Sequence, residues 1–108
     1  MKPKKFNFNK ISRQLRKPWT PKTIAKVDNF LLIIAKFENK YHWHKHKNHD
    51  ELFIVMEGKI KIQTKSANIV LNKGEGVTIP KNVEHCPVAI KPSIVLIFEN
   101  LKLSRNTK

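Results

Sequence analysis

The chain has a single cysteine, so no internal disulfide can form and one hydrophobic core must hold the fold. At 108 residues it is long enough for that, since a domain of this size buries roughly two thirds of its unfolded surface. Only three glycines are present, which excludes the glycine-rich motifs of RNA-binding segments. Long apolar runs are missing too: residues 30–35 form the longest, six residues against the ~20 a membrane span requires. No apolar stretch follows the basic N-terminus, so nothing resembles a secretion signal, and the expectation is a cytoplasmic, soluble protein without membrane contact. Acidic residues are also scarce. Eight Asp and Glu against 22 Lys and Arg leave a formal net charge of +14. Residues 1–27 carry nine positive charges and no negative one, and residues 102–108 add three more. Such an arm can attract nucleic acid or another anionic partner, but interleaved aromatics and a recognition helix are missing. Solubility and compositional bias are the favoured reading, and nucleic acid the less favoured partner.

What is present is mostly β. Residues 9–17 set Ile11 and Leu15 four apart among polar residues, which predicts a short helix stopped by Pro18. After Pro21 the pattern predicts strands at 23–27, 30–37, 41–46, 51–56, 59–64, 68–71, 76–79, 85–90 and 93–99. Gly58, Asn72-Lys73-Gly74 and Lys91-Pro92 read as turns between them. In Lys59-Ile60-Lys61-Ile62-Gln63 the alternation directs isoleucine inward and polar side chains outward. Many short strands with such turns imply a sandwich or barrel. The expected organisation is a basic arm with a short helix over 1–18, a barrel over 19–101 and a basic tail over 102–108, frayed from Ser104.

The chemistry concentrates in residues 44–58. Side chains two apart on a strand share a face, so His44 and His46 converge. Glu51 lies at an odd offset from them, which requires a turn or bulge in the polar stretch Lys47-Asn48-His49-Asp50. Beyond it Glu51 shares a face with Phe53 and Val55, and a carboxylate on that apolar face costs several kcal/mol unless a cation or hydrogen-bond donors compensate it. A metal ion would supply the charge. Residues 80–85 offer a further imidazole, His85. Three imidazoles and a carboxylate suit a divalent transition ion, with iron, manganese, zinc, nickel and copper all admissible. On a six-coordinate ion they leave two adjacent positions open, where a ligand can bind.

These residues resemble the two motifs of the cupins. The first, HxH(x)4E(x)6G, is met in full by His44, His46, Glu51 and Gly58, with Glu38 where a glycine usually precedes it. The second, G(x)5PxGxxH(x)3N, is matched by Gly74, Pro80 and His85, with Asn82 for its middle glycine and Ala89 for its final asparagine. Asparagine tolerates a left-handed backbone better than other non-glycine residues, so the turn at Asn82 can survive. The resemblance covers roughly residues 15–100, with fifteen residues, 59–73, between the motifs. It implies an all-β fold, the cupin double-stranded β-helix or jelly-roll barrel with a short N-terminal helix, and His44, His46, Glu51 and His85 as metal ligands. It implies a site more firmly than an activity.

The surrounding residues carry plainer readings. His42 shares the face of His44 and His46; His42 with His44 is an alternative pair, but only His44 and His46 give the spacing to Glu51 and Gly58. His42 reads instead as a pocket-mouth group, a substrate contact or an acid/base. His49 is expected to be solvated in its turn, with gating of the site a minor alternative. Cys86 is expected buried and turned away from the site, Tyr41 in the barrel wall, and Trp19 and Trp43 as packing anchors. Three functions remain: a metal-binding cupin that binds or converts a small organic molecule such as a sugar, polyol or organic acid; a mononuclear non-haem iron dioxygenase; or a non-catalytic binding module whose basic surface engages an anionic partner. The first is favoured. The apolar strand 30–37 exceeds what one small barrel covers, and the resembled family commonly pairs through N-terminal strands, so a homodimer is expected.

Overall fold

The computed structural model describes residues 1–101, so the tail expected over 102–108 lies outside the described residues. One helix, α1 (Phe8–Gln14), precedes six strands: β1 (Lys22–Val27), β2 (Phe30–Phe37), β3 (Glu51–Thr64), β4 (Asn68–Asn72), β5 (Gly76–Ile79) and β6 (His85–Asn100). Every pairing between these strands is antiparallel, in the order β1-β2-β6-β3-β4, with β5 on β3. This is the all-β barrel with a short N-terminal helix that the sequence predicts. Among the described residues no helix is long and apolar enough to cross a membrane.

Helix α1 is shorter than the 9–17 expected. Asn7 caps it, its side chain accepting from the Lys10 N–H at 3.0 Å. It ends at Gln14, with Leu15 already extended at φ −72°, ψ 121°. Pro18 lacks an N–H and biases Lys17 toward extended backbone, so the last turn has nothing to continue into.

The larger difference concerns β3 and β6, where two pairs of short strands prove to be two long ones. Gly58 and Lys91-Pro92 do not reverse the chain. At Gly58 (φ +93°) β3 bulges, and its register against β6 shifts between Val55 and Ile60. A Cβ at Gly58 would lie 2.7 Å from the Pro92 carbonyl oxygen and 2.8 Å from Ser93 Cα, so the crossing admits only glycine. Buried Ser93 secures it: its hydroxyl accepts from the Lys59 N–H at 2.9 Å and donates to the Lys91 carbonyl at 2.7 Å. The first half of β3 therefore pairs with the second half of β6 and with β5, and its second half with the first half of β6 and with β4.

Residues 41–46 are likewise no continuous strand. They run beside the first half of β6, bridged to it at His44 to His85 and, just before them, at Lys40 to Val88. The core between the layers consists of Ala35 and Phe37 from β2, Phe53, Val55, Ile60 and Ile62 from β3, Leu71, Ile79, and Ala89 and Val95 from β6. Ile60 and Ile62 face inward as their alternation predicts, each contributing about 1.5–3 kcal/mol on burial.

Candidate metal centre

Three pieces of chain bring the four candidate residues together. Strand β3 opens with Glu51, and its inward row continues through Phe53 and Val55. Strand β6 opens with His85, which exchanges both backbone hydrogen bonds with His44 (3.0 and 2.9 Å), a pairing that sets the two side chains on one face. Asn82 takes the left-handed conformation (φ 68°) and donates its N–H to the His46 carbonyl at 2.8 Å, fixing the last of the three imidazoles. The Asp50 carboxylate accepts from the Lys81 N–H at 2.9 Å and ties the same loops together.

One ligand atom from each of His44, His46, Glu51 and His85 lies within 4.8 Å of the other three. His46 Nε2 stands 3.3 Å and His85 Nε2 3.5 Å from Glu51 Oε1. Two ligands each about 2.1 Å from a shared ion would stand about 3.0–3.4 Å apart, so the spacing fits a common ion. Glu51 (7% exposed) and His85 (1%) are buried, and neither Oε1 of the one nor Nε2 of the other makes a well-aligned hydrogen bond. Buried polar atoms are rarely left so. The tautomers point the same way. His44 Nδ1 bonds the His42 carbonyl at 3.0 Å and His85 Nδ1 bonds the Val83 carbonyl at 2.9 Å. A carbonyl only accepts, so both protons reside on Nδ1 and both Nε2 atoms keep the lone pair that coordination needs. These residues fit a divalent ion.

Burial lowers the His44 pKa, since it disfavours the charged imidazolium, and the neighbouring His85 and His46 add to this; the bond to His42 opposes it. For Glu51 burial works against ionisation, but the adjacent His46 and His85 side chains outweigh it and hold the carboxyl well below the usual carboxylate range. Neutral imidazole beside ionised carboxylate is the protonation state a metal ion requires.

The cluster opens into a cavity of about 410 Å³. Its walls are largely apolar, from Trp19, Ile33, Phe37, Phe53, Pro87 and Ile97, and Tyr41, His44, His46, Glu51 and Glu99 supply the polar atoms. Several single-residue expectations change here. Trp19 packs against the core as expected, and with Tyr41, stacked on it at 4.8 Å, it also lines the cavity. His49 is buried (3% exposed), not solvated, its ring 4.5 Å from that of His46. Trp43 is no packing anchor: it is 40% exposed, with the Lys65 ammonium 4.6 Å above its ring. His42 is exposed, outside the cavity lining, and its ring lies against Tyr41 at 3.9 Å. Cys86 is buried, with Sγ 3.7 Å from the Tyr41 carbonyl and outside the ligand cluster. Glu99, a second carboxyl in the cavity, was not singled out by the motifs.

A small antiparallel barrel with three imidazoles and a carboxylate at the base of an open cavity defines the class. The family model for the cupin domain matches residues 30–98, and the chain belongs to that family. The uncharacterized protein YdbB of Bacillus subtilis is 32% identical over 80 residues, which cover 73% of this chain and 71% of that protein. The crystal structure of a cupin-2 domain containing protein from Shewanella frigidimarina is similar at a TM-score of 0.86 and 38% identity, over 88% of this chain and 93% of that one. A protein from Neisseria meningitidis shares the fold at a TM-score of 0.83 and 21% identity, over 90% and 99% of the two chains.

Proposed function

We propose that the chain is a metal-dependent cupin in which His44, His46, Glu51 and His85 hold a divalent transition ion, and that it binds or converts a small organic molecule such as a sugar, polyol or organic acid. The observation that carries this reading is the convergence of four ligand atoms within 4.8 Å beside a cavity of about 410 Å³, a volume within the range of small-molecule sites. When bound, the ion would act as a Lewis acid on ligand oxygens. The protein's own contribution is positional. Trp19, Phe37, Phe53 and Ile97 exclude water and accept the C–H face of a ligand, while the imidazole end of the cavity receives its oxygen-bearing end.

The test is calorimetric titration of sugars, polyols and organic acids, chosen from molecules that copurify with untagged protein, into metal-loaded and metal-stripped forms. Binding only to the loaded form is expected. Equal binding to both forms, unaffected by His44→Ala, would favour a non-catalytic module. Aerobic turnover that requires ferrous iron would move the reading to a dioxygenase. We also infer that two chains pair through the face carrying Val27, Phe30 and Phe98. All three side chains are exposed, and the two rings stack at 5.2 Å.

A further inference from the structure

One whole face of β2 lines the cavity: Leu31, Ile33, Ala35 and Phe37, at every second position, are all apolar. Ile97 of β6, paired with Ile33, extends that wall across the sheet. Trp19 closes it. Its backbone N–H donates to the Lys36 carbonyl and its indole N–H to the Glu38 carbonyl, both at 2.8 Å. The indole donor is thereby used, and Trp19 offers a ligand only its flat ring, braced by Phe37 at 4.3 Å and Tyr41 at 4.8 Å. His44, His46 and Glu51 mark the polar end, with the Tyr41 ring 5.4 Å from that of His44. No lysine or arginine lines the cavity among the described residues, although the chain carries 22 of them. Lys36, between Ala35 and Phe37, falls on the opposite face of β2 and pairs with Glu38 at 3.7 Å. Imidazoles aside, the titratable groups of the lining are the Tyr41 hydroxyl and two carboxyls, Glu51 and Glu99.

A wall without polar partners and a cavity without cations discriminate among sugars, polyols and organic acids. Sugars and polyols carry hydroxyls along the whole skeleton, and most of these would be buried against apolar side chains with nothing to bond. A dicarboxylate or a phosphorylated molecule would bring a second negative group into a cavity that has carboxyls and no lysine or arginine to meet it. We propose that the cavity selects a monocarboxylic organic acid with a flat apolar body, its oxygens gathered at the imidazole end and its body laid on Trp19 and the β2 face. This rests on the metal reading above, since the ion is what meets the single carboxylate.

The experiment titrates the zinc-loaded protein with 2-hydroxy acids that share one head and differ in one substituent: lactate (methyl), glycerate (hydroxymethyl), malate (carboxymethyl) and mandelate (phenyl). Calorimetry gives each Kd, and elemental analysis gives bound zinc. Mandelate is expected to bind at least about 10-fold tighter than lactate, since a single methylene in an apolar pocket already carries roughly 10- to 200-fold. Glycerate should bind no better than lactate, and malate most weakly. Leu31→Thr, at a half-buried position of the wall, should narrow the gap between mandelate and lactate with zinc content unchanged; Ile33→Thr repeats the test if circular dichroism shows the first variant unfolded. Malate or glycerate matching mandelate would overturn the proposal, as would no binding of mandelate or an unchanged gap in a folded wall variant. The two readings fail separately. Stoichiometric zinc with no preference for mandelate removes this proposal and leaves the metal site standing. Mandelate preferred, but bound equally well by the metal-stripped form, removes the metal reading and leaves the apolar wall as the source of selectivity.

Discussion

At the scale of single residues, the site is a set of groups held in one protonation state by their surroundings. His44 is kept neutral by burial and Glu51 is kept ionised by His46 and His85. Both folded-state pKa values lie below the ordinary ones, so the unfolded chain takes up protons that the folded chain refuses, and stability must fall as pH falls. For the metal-free protein, denaturant midpoints are expected to decline as pH drops below the ordinary histidine value of 6.5 and again below the ordinary glutamate value of 4.5. His44→Gln should flatten the upper step, and an unchanged upper step would remove His44 as its cause. The ligand candidates were legible because spacing alone converges His44 and His46 and sets Glu51 on an apolar face. Glu99 obeys the same rule, ending an inward row of Ser93, Val95 and Ile97 as Glu51 begins one with Phe53 and Val55. Its signal was present in the alternation but belonged to no motif. The burial of His49 was not legible, because it depends on the loops of residues 47–50 and 80–83 closing together.

At the scale of elements, the motif glycine at position 58 acts through the crossing of β3 and β6 and does not touch the cavity. Gly58→Ala is expected to destabilise by about 1–3 kcal/mol from its positive φ alone, more if the Pro92 and Ser93 backbone cannot retreat. Ser93→Ala should cost about 1–3 kcal/mol, since it strands the part-buried Lys59 N–H. Urea unfolding measures both, and neutral substitutions would refute the role given to the crossing. Sequence patterning located the strand residues well, with β2 and β5 at their expected bounds. It read the crossing as chain reversals because glycine and proline mark turns and bulges alike, and only cross-strand packing distinguishes them. Residues 41–46 alternate like a strand, yet isolated bridges at Lys40 and His44, not a ladder, join this stretch to β6. Their side chains converge because His44 pairs with His85, not because a ladder continues.

At the scale of the whole molecule, a barrel with two walls joined by long bent strands leaves one cavity end free for ligands, and the assembly of the four candidate ligands from separate segments, two of them buried, couples metal to folding. At a metal concentration a hundredfold above Kd, binding adds about 2.7 kcal/mol to stability. With about 4–8 °C per kcal/mol for a domain of this size, zinc should raise the unfolding midpoint on the order of 10 °C, reversed by a chelator. An unshifted midpoint would count against a site in the folded barrel. Light scattering should return twice the chain mass for wild type and the single-chain mass for Phe98→Lys. A monomeric wild type would remove the pairing proposed for the Phe30–Phe98 face.

The central claim is that His44, His46, Glu51 and His85 hold one ion together. Elemental analysis of untagged wild type, Glu51→Gln and His85→Ala, all shown to be folded by circular dichroism, tests it most directly. Stoichiometric transition metal in the wild type and almost none in either variant is expected. Equal metal in all three would contradict it.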